Sequence, residues 1–261
     1  MHLTIVGGCF PVQHNIAPGQ LYHDTLRTLL AADHSGQLPE LTIVRYERLG
    51  TCLAKVMAAC ARQPPQVLIF HVRAEPMMRL AKGYYRYRDD QGRVRHSLNL
   101  PWGTPGQAER HDPLARQPPA AAPPPETALR RALRQLNLQV GTWVGNRRRA
   151  LHQYDALVLA LADFCRRAGI RLLVVGPVSR PCAAEENRLS HELHAHYQRL
   201  THQHGLAYLP VLGETDETGA PLFFPNGIYV SAAGHARIGR LLHQQLREWL
   251  PSFASAPPVP L

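Results

Sequence analysis

The sequence predicts an α/β protein built on a parallel sheet, and three observations predict it. Short, wholly apolar runs recur along the 261 residues, segments with helical apolar spacing separate them, and no hairpin turn joins one run to the next. Runs that are apolar throughout, rather than alternating, belong to strands buried on both faces, the state of parallel strands covered by crossover helices. About five strands are expected, with an insertion after the third.

The first strand is Leu3 to Val6, followed at once by the tight-turn doublet Gly7-Gly8. Leu21 to Ala32 carries Leu21, Leu26, Leu29 and Leu30 at helical spacing, and Leu41 to Val44 is a second strand. Cys52 to Ala61 is helical up to Pro64-Pro65, and Val67 to Phe70 is the third strand. Residues 77–125 break the pattern with Tyr84-Tyr85-Arg86-Tyr87-Arg88, a turn at Asp89 to Gly92, and a proline-rich run from Pro118 to Pro125 that reads as an exposed linker. Helices follow at Glu126 to Leu136 and Arg149 to Ala168. A fourth strand runs from Leu172 to Val175, then a helix from Glu185 to His204, and a fifth strand from Leu206 to Leu209. Ser231 is placed to cap a last helix, Ala232 to Leu250, with a frayed tail at 252–261. One domain over 1–251 is expected.

An apolar fraction of 45% with 18% charged residues excludes a wholly disordered chain. The longest apolar stretch, Ala156 to Ala162, is fenced by Asp155 and Asp163, far short of the ~20 residues of a membrane helix. The chain opens directly into a strand without a basic leader, so a cytoplasmic protein is expected. Five scattered cysteines without a CxxC pair suit that reducing compartment. The net charge of +10 comes almost wholly from arginine, Lys55 and Lys82 being the only lysines. With no recognition motif beside it, this balance reads as coding bias, and nucleic acid is not the expected partner.

In an open parallel sheet, ligands bind at the carboxyl ends of the strands. The residues there are Gly7-Gly8-Cys9, Arg48-Leu49-Gly50, His71 to Glu75, Gly176-Pro177 and the stretch Asn226 to Gly234. Their order resembles the SGNH or GDSL hydrolases, esterases and acylhydrolases with a flavodoxin-like three-layer fold. Ile5 to Phe10 stands where that family has Gly-Asp-Ser-Leu. Asn226-Gly227-Ile228-Tyr229 is similar to its Asp-x-x-His block, and Leu173 to Pro177 to the strand before it.

Carried over position by position, the resemblance puts Cys9 at the nucleophile serine and Gly8 at the preceding aspartate. Arg73 takes the place of the oxyanion asparagine, Asn226 that of the triad aspartate and Tyr229 that of the triad histidine. Gly50 matches the oxyanion glycine. Tyrosine, with an ordinary pKa near ~10, is a poor base at neutral pH, and asparagine cannot stabilise an imidazolium. A standard serine-esterase mechanism is therefore not expected.

Three readings stay open. Cys9, Arg73, Asn226 and Tyr229 could line a pocket for a carboxylate or phosphate, unless Arg73 is spent on an ion pair with Glu75. Cys9 could instead be the nucleophile of an esterase, with Gly50 and Arg73 on the oxyanion and His14, His71 or His235 as a displaced base. Finally, the tyrosine- and arginine-rich insertion, with Trp102, could be a binding segment or lid. The expected ligand is a small ester or an anion, and none of these readings needs a metal or redox cofactor. The oligomeric state is left open.

Overall fold

The structure, a computed structural model, describes residues 1–8, 16–33, 37–46, 49–74, 77, 83–88, 91, 93–98, 127–179, 181, 184–225 and 229–249. Along the chain run β1 (His2–Gly7), α1 (Tyr22–Asp33), β2 (Glu40–Arg45), α2 (Leu49–Arg62), β3 (Val67–His71), β4 (Tyr84–Arg88) and β5 (Val94–Leu98). Then come α3 (Ala128–Trp143), α4 (Asn146–Arg167), β6 (Arg171–Val175), α5 (Ala184–Gln203), β7 (Ala207–Leu209) and α6 (Ala232–Arg247).

By contact density the chain forms two compact units, one of Met1–Arg45, Val56–Arg73 and Ala162–Leu261, the other of Tyr46–Lys55 and Ala74–Leu161. The first holds a five-stranded parallel sheet in the order β2-β1-β3-β6-β7. Every residue of β1 and β3 is buried, as strands covered on both faces must be. The architecture is the expected three-layer α/β/α.

Period-two alternation sorts the strand residues by face. Leu3 and Ile5, Val67 and Ile69, and Leu173 and Val175 share one core with Leu26 and Leu30 of α1 and Ile238, Leu242 and Leu246 of α6. Gly239 lets α6 approach α1 closely, since a Cβ there would come within 2.7 Å of the Tyr22 carbonyl oxygen and the Thr25 Cβ. Cys60 of α2 and Cys165 of α4 are buried, and burial pushes both thiols up, Cys165 to about 12. They act as small apolar side chains.

The second unit holds the antiparallel hairpin β4–β5, which sequence reading left as an irregular insertion. Asn137 of α3 ties the start of this hairpin, its amide oxygen accepting from the Tyr84 N–H and its amide donating to the Tyr84 carbonyl, both at 2.8 Å. Tyr46 and Tyr154 hydroxyls, both buried, meet at 2.7 Å. Among the described residues, no helix is long and apolar enough to cross a membrane.

Candidate functional site

The sheet order changes direction at the β1/β3 pair, because β2 lies outward of β1 while β6 and β7 continue beyond β3. This is the switch point at which open α/β sheets take ligands. Gly8 follows β1 there and is buried, and Arg73 stands two residues beyond β3.

The two positions meet. A Cβ built on Gly8 would fall inside the Arg73 guanidinium, against its Cζ, Nε and Nη2 atoms. Glycine is thus required at position 8 for room, to let the cation lie over the chain immediately after β1. The space that the aspartate's Cβ would take in the resembled motif is filled here by positive charge.

Beside this pair lies a buried aromatic cluster. His71 continues the inward row of Val67 and Ile69, so alternation turns it toward α1, where its Nε2 lies 2.9 Å from the Tyr22 hydroxyl. Tyr22 stands edge-on to His71 and stacked on His235, with ring centroids 5.2 and 5.9 Å apart. The Tyr22 backbone N–H, an orphan donor of the first turn of α1, donates to His235 Nδ1 at 3.2 Å. Burial, with the charge of Arg73 and then His235 adding to it, lowers His71 to about 3. Burial also lowers His235 to about 4, with His23 adding to it and Asp24 opposing. Desolvation keeps the Tyr22 phenol protonated well above its ordinary range. At neutral pH the side chains of His71, His235 and Tyr22 are uncharged.

α6 enters this region by its first turn, which carries His235. Ser231 caps it as expected, its Oγ accepting from the Gly234 N–H at 3.2 Å. Upstream, the Phe223–Val230 bridge and the Phe224 N–H donating to the Tyr229 carbonyl at 2.9 Å close a short loop. His235 stacks on Tyr22, which reaches His71 at the end of β3, so the first turn of α6 lies at the carboxyl end of β3.

Of the residues singled out by sequence, Arg73, His71 and His235 come together at the end of β3, while Tyr229 lies in the loop before α6, its carbonyl bonded to the Phe224 N–H. Gly50 lies exposed in the first turn of α2, within the second unit, with nothing within 4 Å of a built Cβ. Cys9, His14, Glu75, Trp102 and Asn226 lie outside the described residues. Gly8 was read as a turn residue and as the position of the motif's aspartate, but not as the seat of Arg73. Tyr22 escaped sequence reasoning, hidden in the helical apolar pattern. Among the described residues, no group of three or more histidine, cysteine, aspartate or glutamate side chains could hold a metal ion.

Comparison with solved structures gives extensive matches at low identity. TesA matches with a TM-score of 0.54 at 14% identity, over 95% of this chain and 99% of that one. A catalytic mutant of an acetylxylan esterase from Geobacillus stearothermophilus matches with a TM-score of 0.55 at 11% identity, over 94% and 93%. The fold is that of the SGNH hydrolases. An alpha/beta hydrolase enzyme from the metagenome of Lake Arreo, Spain, is similar at 0.55 and 13%, over 92% of each chain. No curated protein matches this sequence. A family model described as a domain of unknown function, DUF4124, matches residues 80–128, which include the β4–β5 hairpin.

Proposed function

We propose that this protein uses the switch point of its parallel sheet to hold a small organic or phosphate-type anion, and that it is not a serine esterase. The observation that carries this reading is the close approach of Gly8 and Arg73, which sets a guanidinium at the carboxyl end of β1. Arginine presents several donors in a fixed plane and matches a carboxylate or phosphate with two parallel hydrogen bonds. Neutral His71, His235 and Tyr22 behind it add no competing charge. Tyr229, at the position of the triad histidine, supplies a neutral hydrogen-bonding group in the loop before α6. The esterase names of similar structures point to carboxylates, the acid half of an ester, as the first class to try.

A thermal-shift screen of carboxylates and phosphates tests this reading. At least one class is expected to raise the unfolding midpoint of the wild type and to leave Arg73→Ala unmoved. Charge-assisted hydrogen bonds contribute about 1.5–3 kcal/mol, so Arg73→Ala weakens binding by ~10-fold to 100-fold. Equal shifts in wild type and Arg73→Ala contradict the proposal.

The same geometry favours a second reading. Cys9 is the next residue in the chain after Gly8, on which the Arg73 guanidinium lies, and a cation beside a thiol favours thiolate. This would make Cys9 the nucleophile of an esterase with Arg73 on the oxyanion. His71 and His235 are poor bases for it, each already hydrogen-bonded to Tyr22 and lowered by burial. Hydrolysis of p-nitrophenyl acetate that is lost in Cys9→Ala and blocked by iodoacetamide would support this reading. Equal low rates in wild type, Cys9→Ser and Cys9→Ala would remove it.

A further inference from the structure

α3 wears its apolar face outward. Leu129, Leu133, Leu136, Val140 and Trp143 are spaced 4-3-4-3, so at 100° per residue they fall within an arc of about 80°. All five are exposed, from 38% at Val140 to 77% at Trp143, while Gly141, on another side of the same helix, is buried. A helix that served only its own unit would turn this stripe inward. Leu98, paired with Tyr84 at the open end of the hairpin that Asn137 holds, is 70% exposed as well.

We infer that this stripe is the seam of a homodimer, in which α3 of one chain packs antiparallel on α3 of a second copy. The 4-3-4-3 spacing is that of the a and d positions through which paired helices interlock side chains, so it matches a helix better than a flat surface. Together the five stripe residues leave a continuous run of exposed apolar surface, unlike the singly scattered apolar side chains normal on a monomer, and a two-fold copy presenting the same stripe would cover it.

The charges choose the direction. α3 has Arg130, Arg131 and Arg134 in its first half and no charged residue from Gln135 to Trp143. Parallel pairing would set the two arginine-rich halves side by side. Antiparallel pairing sets each against the uncharged half of the other helix, near its carbonyl-rich end, where cations are favoured. A two-fold axis then passes beside Leu136, Leu133 meets Val140, and Leu129 meets Trp143, the self-complementary arrangement of a closed dimer.

Sedimentation equilibrium of the full chain tests the inference. The wild type is expected to approach twice the 29.1 kDa of one chain as concentration rises. Leu133→Glu with Leu136→Glu, both at exposed positions, is expected to raise the dissociation constant by ~30-fold or more, the scale of losing an interface anchor. Under oxidation, Leu136→Cys is expected to cross-link two chains above the wild-type background, while Leu129→Cys alone does not, because its two copies lie at opposite ends of the seam. A wild type of single-chain mass throughout the series overturns the inference, as does a dimer that the paired substitution leaves unchanged. Equal cross-linking through positions 129 and 136 overturns the antiparallel arrangement. Binding of single chains to anionic vesicles, abolished by the paired substitution, would assign the stripe to a membrane surface and overturn the dimer.

Discussion

Position 8 separates two kinds of glycine requirement. Its backbone is not among the left-handed glycines, so what it needs is room beside Arg73 rather than conformational freedom. The colliding atoms belong to the end of a flexible side chain, which can move aside at modest cost. Gly8→Ala is therefore expected to change stability by less than ~1 kcal/mol while displacing the guanidinium. A thermal melt checks the first part, and loss of anion-induced stabilisation checks the second. Arg73 itself was legible in the sequence as a substitution in an expected motif. Its coupling to Gly8 was not, because the two lie 65 positions apart and meet only once β1 and β3 pair.

At the scale of elements, glycines divide by what their missing Cβ would touch. In α6, Gly239 faces the Tyr22 carbonyl oxygen and the Thr25 Cβ at 2.7 Å, so a side chain there must push α1 away. Gly239→Val is expected to cost about 1–3 kcal/mol by overpacking, read as a lower unfolding midpoint. Gly50 has open space around it, so Gly50→Ala in α2 is expected to be neutral or to stabilise by up to about 1 kcal/mol. A melt in which both variants shift alike would contradict this account of the α1–α6 crossing. The sheet strands were readable because burial on both faces leaves continuous apolar runs such as Val67 to Phe70, and Ser231 because a cap needs a hydroxyl just before the helix. The β4–β5 strands were not, since Tyr84 to Arg88 and Val94 to Leu98 mix arginine with aromatic and aliphatic residues and lack the two-sided apolar run. α3 runs to Trp143 rather than Leu136 and α4 starts at Asn146 rather than Arg149, and α3 carries through Asn137 and Gly141 although both are weak helix formers. In the structure one ties the hairpin and the other lies buried against its unit.

For the whole molecule, the buried histidines make stability depend on pH. His71 and His235 are lowered to about 3 and about 4 in the fold, whereas an unfolded chain binds those protons near pH 6.5. The unfolded state therefore holds more protons between these values, and stability falls as pH drops from about 6.5 toward 4. Each proton so held costs about 1.4 kcal/mol per pH unit. His235→Asn keeps a side-chain acceptor for the Tyr22 N–H and removes one titration. Its urea midpoint is expected to fall less between pH 7 and pH 5 than that of the wild type, and equal losses would show that His235 is not held neutral.

The central claim is that Gly8 and Arg73 together make an anion site at the β1/β3 switch point. Calorimetric titration of the best anion from the screen into wild type, Gly8→Ala, Arg73→Ala and the double variant tests it most directly. The account predicts that each single substitution weakens binding ~10-fold or more and that the double variant binds no worse than Arg73→Ala. Additive losses, or full affinity in Gly8→Ala, would contradict it.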